Sequence, residues 1–249
     1  MSGHSKWATI KHKKGAADKA RAKVFAKLIR QVEVAAREGG PDPDANPSLR
    51  TMFQKARDNS VPIDTIERAI KRATGGLEGV VYESITYEGY APGGIAVLCD
   101  VLTDNRNRTS AEVRNAFTKH GGSMAEPGAV AWQFERKGVV LADRSADEEE
   151  LMLLALDAGA EDLSDDGEVW RITTPPTELH TVRAALEEGG ITVSSSELTM
   201  QPTSTIAVEE SDVAKRVLRL IDALDDNDDV QDVYANFDIS DELLEAIEA

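Results

Sequence analysis

The sequence contains one cysteine, Cys99, and no long apolar run. A single thiol excludes an intrachain disulfide framework and favours a reducing compartment, and its place in the apolar run from Gly94 to Val101 predicts a buried side chain. No window approaches the roughly 18 consecutive apolar residues of a membrane span, and the first residues lack the apolar core of a secretory signal. We therefore expect a cytoplasmic protein with no membrane partner.

Motifs of catalytic and nucleotide chemistry are also missing. The sequence has no G-x-S-x-G elbow, no G-x-x-x-x-G-K-[ST] phosphate loop and no G-x-G-x-x-G fingerprint. The histidines lack the paired spacing of metal ligands, and the acidic run 225–229 lacks the glycine and glutamate of a calcium loop. We predict no catalytic residue, no metal, no cofactor and no enzymatic activity.

Acidic residues are scarce at the start of a chain that is acidic as a whole. The formal net charge is -17, yet the first thirty residues hold one acid, Asp18, among nine Lys and Arg. Residues 1–76 carry 16 Lys and Arg against 8 Asp and Glu, and residues 77–249 carry 12 against 37. Because such an acidic body repels phosphate beyond a Debye length of about 10 Å, we expect polyanion contact in the first third only.

Residues 1–15 show neither a helical nor a strand period, which predicts a flexible basic arm. An aromatic side chain among cations offers a stacking face beside charges that neutralise phosphate, which favours a nucleic-acid-binding role over that of a solvated tail. The candidate nucleic-acid-binding residues of the arm are Lys6, Trp7, Lys11, His12, Lys13 and Lys14.

A helical period begins at Ala16 and ends at Gly39. Its apolar face predicts packing, and the opposite face presents a basic stripe with the candidate nucleic-acid-binding residues Lys19, Lys23, Lys27 and Arg30. Asn46 followed by Pro47 predicts the start of a second helix, and Asp64 with Glu67 predicts a capping box at the start of a third. Residues 16–76 are therefore expected to form a helical bundle.

Strand patterns follow Gly79. Residues 135–202 contain the order β-α-β-β-α-β of a ferredoxin-like domain, with a turn predicted at 135–138, and residues 77–134 plus 203–249 supply the halves of a second one. The predicted fold class is α+β, with an N-terminal three-helix bundle followed by two ferredoxin-like α/β domains, one inserted in the other. Trp132, Phe134 and Trp170 are strand aromatics for which we favour core or interface packing over RNA stacking.

The most polar internal stretch is Asp104-Asn-Arg-Asn-Arg108, which follows an apolar strand and precedes a helix that Thr109 and Glu112 can cap. Amides at a helix start and two guanidinium groups suit an anion, so Arg106 and Arg108 are candidate anion-binding residues. The alternative is a well-capped loop whose arginines pair with local acids.

Several segments resemble the YebC family: G-H-S-K-W at 3–7, I-K-H-K-K-G at 10–15, Y-E-G-Y-A-P-G-G at 87–94 and L-T-D-N-R-N-R-T at 102–109. The resemblance implies a helical bundle and two α/β domains, the second inserted in the first. It also implies a role in gene expression, since bacterial members are described as DNA-binding transcriptional regulators and mitochondrial relatives as translational activators. The resemblance carries no established catalytic residues.

Our leading hypothesis is a non-enzymatic, nucleic-acid-binding regulator of gene expression, of the DNA-binding transcriptional type. The alternative is a translation factor or translational activator that binds the ribosome or messenger RNA. Two further hypotheses stay open: an enzyme that acts on a small phosphorylated ligand through Asp104 and Arg106, and an adaptor that binds proteins through its acidic domains. We expect a monomer or a weak oligomer.

Overall fold

The computed structural model describes residues 18–75 and 80–248, with side chains from Arg21 onward except those of Asp241 and Glu248. It begins with three helices, α1 (Asp18–Gly39), α2 (Pro47–Asp58) and α3 (Ile63–Thr74). The next elements are β1 (Glu83–Tyr90), β2 (Ala96–Thr103), α4 (Arg106–Lys119), β3 (Ser123–Ala125) and β4 (Phe134–Asp143). These are followed by α5 (Glu148–Asp157), β5 (Asp162–Asp165), β6 (Val169–Thr174), α6 (Leu179–Glu188) and β7 (Val193–Pro202). The last elements are β8 (Ile206–Ala207), α7 (Ser211–Asp225), β9 (Val230–Ala235), β10 (Phe237–Asp238) and α8 (Asp241–Glu248).

The described residues form two compact units. The first unit contains residues 18–27, 80–135 and 202–248, and the second contains residues 28–75 and 136–201. Helix α1 and strands β4 and β7 each begin in one unit and end in the other. The finer division into an arm, a bundle and two α/β domains stays a prediction.

The first unit is built on a four-stranded sheet with the order β3-β1-β2-β9. Strands β1 and β2 are antiparallel, with Tyr87 opposite Cys99, and β9 pairs antiparallel with the other edge of β2, with Ala235 opposite Val97. Side chains of α4 and α7 complete an apolar core with the sheet, and Cys99, Phe117 and Leu220 are fully buried in it.

One strand of the first unit lies elsewhere than predicted. The ferredoxin-like domain predicted from residues 77–134 and 203–249 implies a first strand of its C-terminal half within the main sheet. Only Ile206 and Ala207 form a strand there, and they pair in parallel with Phe237 and Asp238 in a separate two-stranded sheet. Asn236 connects the two sheets, because its Oδ1 accepts the N–H of Ala96 at 2.8 Å.

The second unit contains a sheet with the order β5-β6-β4-β7 and the two helices α5 and α6, which confirms the predicted β-α-β-β-α-β sequence of elements. Leu151, Ile172 and Leu186 are fully buried in its core. The same unit includes α2, α3 and the C-terminal part of α1.

A buried ion pair joins α2 to α6 within this second unit. Arg183 donates from Nη1 to Asp58 Oδ2 at 2.7 Å and from Nη2 to Oδ1 at 3.0 Å, and the two side chains are 11% and 7% exposed. Ser196 on β7 adds its backbone N–H to Asp58 Oδ2 at 3.1 Å. Helices α2 and α6 are therefore fixed to one another by a bidentate, charge-assisted contact.

The predicted start of α2 is confirmed, since Asn46 is the N-cap and its Oδ1 accepts the N–H of Leu49 at 3.0 Å. The predicted capping box of α3 is wrong, because that helix begins at Ile63 after Pro62 without a capping side chain. The predicted cap at Thr109 is also wrong. Helix α4 begins at Arg106, and Asn105 caps it by accepting the N–H of Arg108 at 3.1 Å.

The predicted turn at 135–138 is replaced by the continuous strand β4. Gly138 lies opposite Thr174 in the ladder, and a β-carbon at Gly138 would stand 2.3 Å from Thr174 Oγ1 and 3.0 Å from Leu179 Cβ. Glycine is required there because the neighbouring strand and helix approach closely, not because the chain turns. No helix in the described ranges is long and apolar enough to cross a membrane.

Candidate nucleic-acid interface

Most of the predicted nucleic-acid-binding residues lie outside the described part of the chain. These are Lys6, Trp7, Lys11, His12, Lys13 and Lys14, together with the side chain of Lys19. Their role stays a prediction. Lys23, Lys27 and Arg30 on α1 are described, and each of them is half-buried.

Lys23 and Lys27 contact the acidic segment that follows α7. Lys23 Nζ donates to the carbonyl of Asp226 and lies 3.4 Å from Asp228 Oδ1. Lys27 Nζ donates to the carbonyl of Asp225 at 2.6 Å and lies 3.8 Å from the carboxylate of the same residue. A phosphate that binds these two lysines therefore competes with carboxylates and carbonyls of the chain itself.

The candidate anion-binding arginines pair with nearby acids. Arg108 Nη2 lies 2.9 Å from Asp104 Oδ1 and 2.5 Å from Asp229 Oδ2, and Arg106 Nη1 lies 3.5 Å from Glu83 Oε1. The structure brings both guanidinium groups to the start of α4, as the sequence predicts, but each already has a carboxylate partner. An anion-binding role for Arg106 and Arg108 stays a prediction.

Asp229 is the buried centre of this cluster, and sequence reasoning did not single it out. Its Oδ2 accepts hydrogen bonds from Thr109 Oγ1 at 2.7 Å and Thr103 Oγ1 at 3.1 Å in addition to Arg108. Burial alone would raise the pKa of Asp229, but these hydrogen bonds and the charge of Arg108 outweigh it, so the pKa lies below its ordinary value. The cluster therefore holds a carboxylate in its charged form between β2, α4 and β9.

A second buried carboxylate, that of Glu88 on β1, fixes the loop between β3 and β4. Its oxygens accept the N–H groups of Gly128 at 2.5 Å, Val130 at 2.6 Å and Ala131 at 2.8 Å. Burial would raise the pKa of Glu88, but the three backbone hydrogen bonds together lower it. Such a loop has little freedom to move, because three backbone N–H groups within four residues converge on one charged acceptor.

Trp132 lies in this loop and is the more exposed of the two described tryptophans. Trp132 is 74% exposed, whereas Phe134 is 6% and Trp170 is 3% exposed. Core packing is thus confirmed for Phe134 and Trp170 and is wrong for Trp132, for which packing at an interface stays a prediction. Its indole Nε1 donates to the carbonyl of Ala129 at 3.1 Å, which leaves the ring face in contact with solvent.

The structure also brings together cations that sequence reasoning did not combine. Lys119 ends α4, His120 follows it, and Arg216 and Arg219 lie one turn apart on α7. The spacing of the two arginines was visible in the sequence, but their approach to the end of α4 depends on how both helices pack on the sheet. Sequence reasoning alone therefore had no signal for this group.

The described residues contain no cluster of three His, Cys, Asp or Glu side chains that could hold a metal ion. Cys99 is free and fully buried, as predicted. Burial, followed by the charge of Asp100, raises the pKa of the Cys99 thiol far above its ordinary value. The thiol is therefore protonated, and it contributes packing rather than a nucleophile.

Fold and sequence together define the class of protein: α+β, with N-terminal helices followed by two antiparallel sheets. The chain belongs to the TACO1/YebC family. The family's N-terminal domain matches residues 5–76, and its second and third domain matches residues 82–237.

Curated relatives are similar over almost their whole length. A "Probable transcriptional regulatory protein" of Rubrobacter xylanophilus is 58% identical over 246 residues, which cover 98% of each chain. One of the same name in Halothermothrix orenii is 53% identical and covers 99% of each chain. A conserved hypothetical protein from Aquifex aeolicus, known from a crystal structure, is 46% identical in sequence. Its structure matches this one with a TM-score of 0.83, over 91% of this chain and 94% of that one.

Proposed function

We propose that this protein is a non-enzymatic regulator of gene expression that binds nucleic acid, with DNA as its first target and transcription as the process it controls. The observation that carries this proposal is the similarity, over 98% of both chains, to a relative named as a transcriptional regulatory protein. The segregation of basic residues into the first third of an acidic chain supports it independently.

The physical basis of binding is the release of counterions from a phosphate backbone. Lysines of the basic arm at residues 1–15 neutralise phosphates, Trp7 stacks on a base, and the stripe on α1 extends the track. Lys23 and Lys27 join that track only by exchanging their contacts with Asp225, Asp226 and Asp228 for phosphate. Phosphate is therefore expected to bind the arm before it binds the basic stripe on α1.

Translation is the second candidate process, and the acidity of the body favours it. Residues 77–249 carry 37 acidic against 12 basic residues, a charge that resists lying along naked duplex DNA. A particle that combines RNA with basic proteins offers phosphate to the arm and positive surfaces to the acidic sheets. Under this alternative the protein is a translation factor that binds the ribosome or messenger RNA.

An enzymatic function has less support from the described residues. The guanidinium groups that a phosphorylated substrate would need at Asp104–Arg108 are held by Glu83, Asp104 and Asp229. A thermal-shift screen against phosphorylated metabolites tests this alternative, and a saturable shift that Arg106→Gln abolishes would revive it.

The experiment that tests the proposal is in-cell crosslinking, followed by sequencing of the bound DNA and RNA and by gradient sedimentation of the same lysate. A transcriptional regulator gives enrichment at promoters and sediments near the top of the gradient. A translation factor gives ribosomal or messenger RNA and sediments with ribosomes. A variant with Lys6, Lys11, Lys13 and Lys14 changed to Gln is the control, and crosslinking that it retains in full would contradict the proposed arm.

A further inference from the structure

Three cationic residues and one histidine of the first unit lie where the end of α4 meets α7. Lys119 is the last residue of α4, and His120 is its C-cap. Arg216 and Arg219 lie three residues apart on α7, which is about 4.5 Å along the helix axis. Lys119, Arg216 and Arg219 are exposed, and His120 is half-buried.

Helix packing determines that these residues meet. Asn227, which follows α7, donates from Nδ2 to Glu112 Oε2 on α4 at 2.7 Å, so the end of α7 lies beside the first half of α4. The middle of α7 lies beside the end of α4. Arg216 confirms this arrangement, because a β-carbon at Gly121 would stand 3.7 Å from its Nη1.

The positive charges lack compensation within the described residues. None of the ion pairs in residues 18–75 and 80–248 involves Lys119, Arg216 or Arg219, although the chain as a whole carries a net charge of -17. The pKa of His120 lies below its ordinary value because of burial first and then because of the charges of Lys119 and Arg219. Arg216 Nε donates to the backbone carbonyl of Asp212 at 3.3 Å, but no carboxylate of the described residues neutralises these cations. Gathering cations without a carboxylate costs free energy, which a bound anion would offset.

Few side chains project from the surface beside these cations, because glycine-rich turns form it. Gly121 has φ +80° and would place a β-carbon 3.6 Å from Pro92 Cγ, so the turn after α4 lies against the turn Pro92–Gly94. A β-carbon at Gly94 would meet nothing within 4 Å. No side chain of these glycines shields the backbone, so an extended polyanion can approach the guanidinium groups closely.

We propose that Lys119, Arg216 and Arg219 form a phosphate-binding surface for an extended polyanion, at the junction of α4, α7 and the two glycine-rich turns. The inference rests on the proposed function for the identity of that polyanion, which is the backbone of a nucleic acid. It adds a contact made by the acidic part of the chain, where the charge balance of the sequence predicted none.

The first test compares two variants of the full chain that each lose two positive charges. Arg216→Gln/Arg219→Gln removes two guanidinium groups from the proposed surface. Arg114→Gln/Arg136→Gln removes two exposed guanidinium groups elsewhere. Arg114 lies on α4, three residues before the buried Phe117, and Arg136 lies in the second unit. Because all four side chains are exposed, both variants are expected to fold, which circular dichroism checks.

Fluorescence anisotropy of a labelled 20-base-pair DNA and of the RNA of the same sequence, measured between 50 and 300 mM salt, gives the readout. The Arg216/Arg219 variant should weaken binding uniformly across sequences and reduce the magnitude of the salt slope by about 2, since each lost phosphate contact removes about 0.9. The control variant should leave the slope unchanged. Equal slopes for the two variants would overturn the proposal.

His120 provides a second readout that does not depend on the nucleic acid chosen. Its pKa, followed by NMR of the imidazole ring, should rise toward the ordinary value of about 6.5 when inorganic tripolyphosphate is added. His180, which contacts Thr51 Oγ1 at 3.0 Å in the second unit, is the internal control, and sodium chloride at matched ionic strength is the solution control. A pKa of His120 that responds equally to both salts would overturn the proposal.

The two readouts separate this inference from the proposed function. A tripolyphosphate-specific rise in the pKa of His120 without any nucleic-acid binding supports the surface and contradicts the proposed function. Nucleic-acid binding that the Arg216/Arg219 variant leaves intact supports the proposed function and contradicts the surface.

Discussion

At the scale of single residues, two buried carboxylates determine the shape of two loops. Glu88 and Asp229 are 6% and 5% exposed, and each is bound by three donors of the chain itself. A buried charge is tolerated only when hydrogen bonds replace its hydration. Both residues are therefore expected to contribute to stability, and neither is free to act as a general base.

We predict that Glu88→Gln destabilises the protein by about 2 kcal/mol, measured as the free energy of unfolding in urea. The amide keeps the volume of the side chain but loses the charge, and its NH2 group faces backbone N–H groups that have no other acceptor in the loop. Glu126→Gln, an exposed change in the same loop, is the control and should change stability by less than about 0.5 kcal/mol.

Glu88 and Asp229 also predict how the free energy of unfolding decreases at acid pH. Because the folded-state pKa values of Glu88 and Asp229 lie below their ordinary ones, their stabilisation is fully present above the pKa of the unfolded chain, about 4. It is lost as the pH falls through the lower folded-state pKa values. Urea unfolding at pH 7, 5, 4 and 3 should show the loss below about pH 4, and Glu88→Gln should flatten it. An unchanged acid limb in this variant would contradict the assignment.

At the scale of secondary-structure elements, local sequence signals predicted the ends of helices and strands correctly where those signals agreed with tertiary packing. Asn46 and Pro47 determine the start of α2 because the cap uses only neighbouring residues. The start of α4 was predicted at the wrong residue, since the hydroxyl of Thr109 is bound to the distant Asp229 and Asn105 caps the helix instead. Gly138 was assigned to a turn because its close approach to Thr174 and Leu179 is a tertiary property.

The candidate interface shows the same division between local and distant information. Helical periodicity placed Lys23 and Lys27 on one face of α1, but it gave no indication that Asp225, Asp226 and Asp228 would contact them from more than 190 residues away. The grouping of Lys119 with Arg216 likewise depends on the packing of two helices.

We predict that Arg183→Met destabilises the protein by about 3 kcal/mol, because it leaves the Asp58 carboxylate buried without its cation. Urea unfolding of the full chain measures the effect. Arg136→Met replaces an exposed arginine of the same unit and should cost less than about 0.5 kcal/mol. Similar losses in the two variants would show that the ion pair does not join α2 to α6 in solution.

We predict that Asp226→Asn/Asp228→Asn tightens nucleic-acid binding, since Lys23 then loses both carboxylates that compete with phosphate. The magnitude of the salt slope should increase by up to about 1. Stability should change by less than about 1 kcal/mol, because the carboxylates are 85% and 82% exposed. Asp157→Asn/Asp162→Asn removes the same charge from exposed positions of the second unit and is the control for anisotropy. Equal tightening by the two variants would indicate a general effect of net charge.

At the scale of the whole molecule, the uneven distribution of charge is the property that most needs a functional explanation. A basic segment at the start of a chain with a net charge of -17 is attracted to an acidic partner, and the rest of the chain is repelled by it. Such a chain is expected to bind a polyanion through a limited number of contacts. Its affinity should therefore depend on salt less steeply than that of a protein that coats duplex DNA.

The salt dependence of nucleic-acid affinity tests the central claim most directly. Anisotropy titrations of duplex DNA with the full chain should give a slope of log affinity against log salt near -4 to -5, which corresponds to about five neutralised phosphates. The variant with Lys6, Lys11, Lys13 and Lys14 changed to Gln should lose most of that slope. A salt-independent affinity, or a variant that binds as the unmodified chain does, would contradict binding through the basic arm.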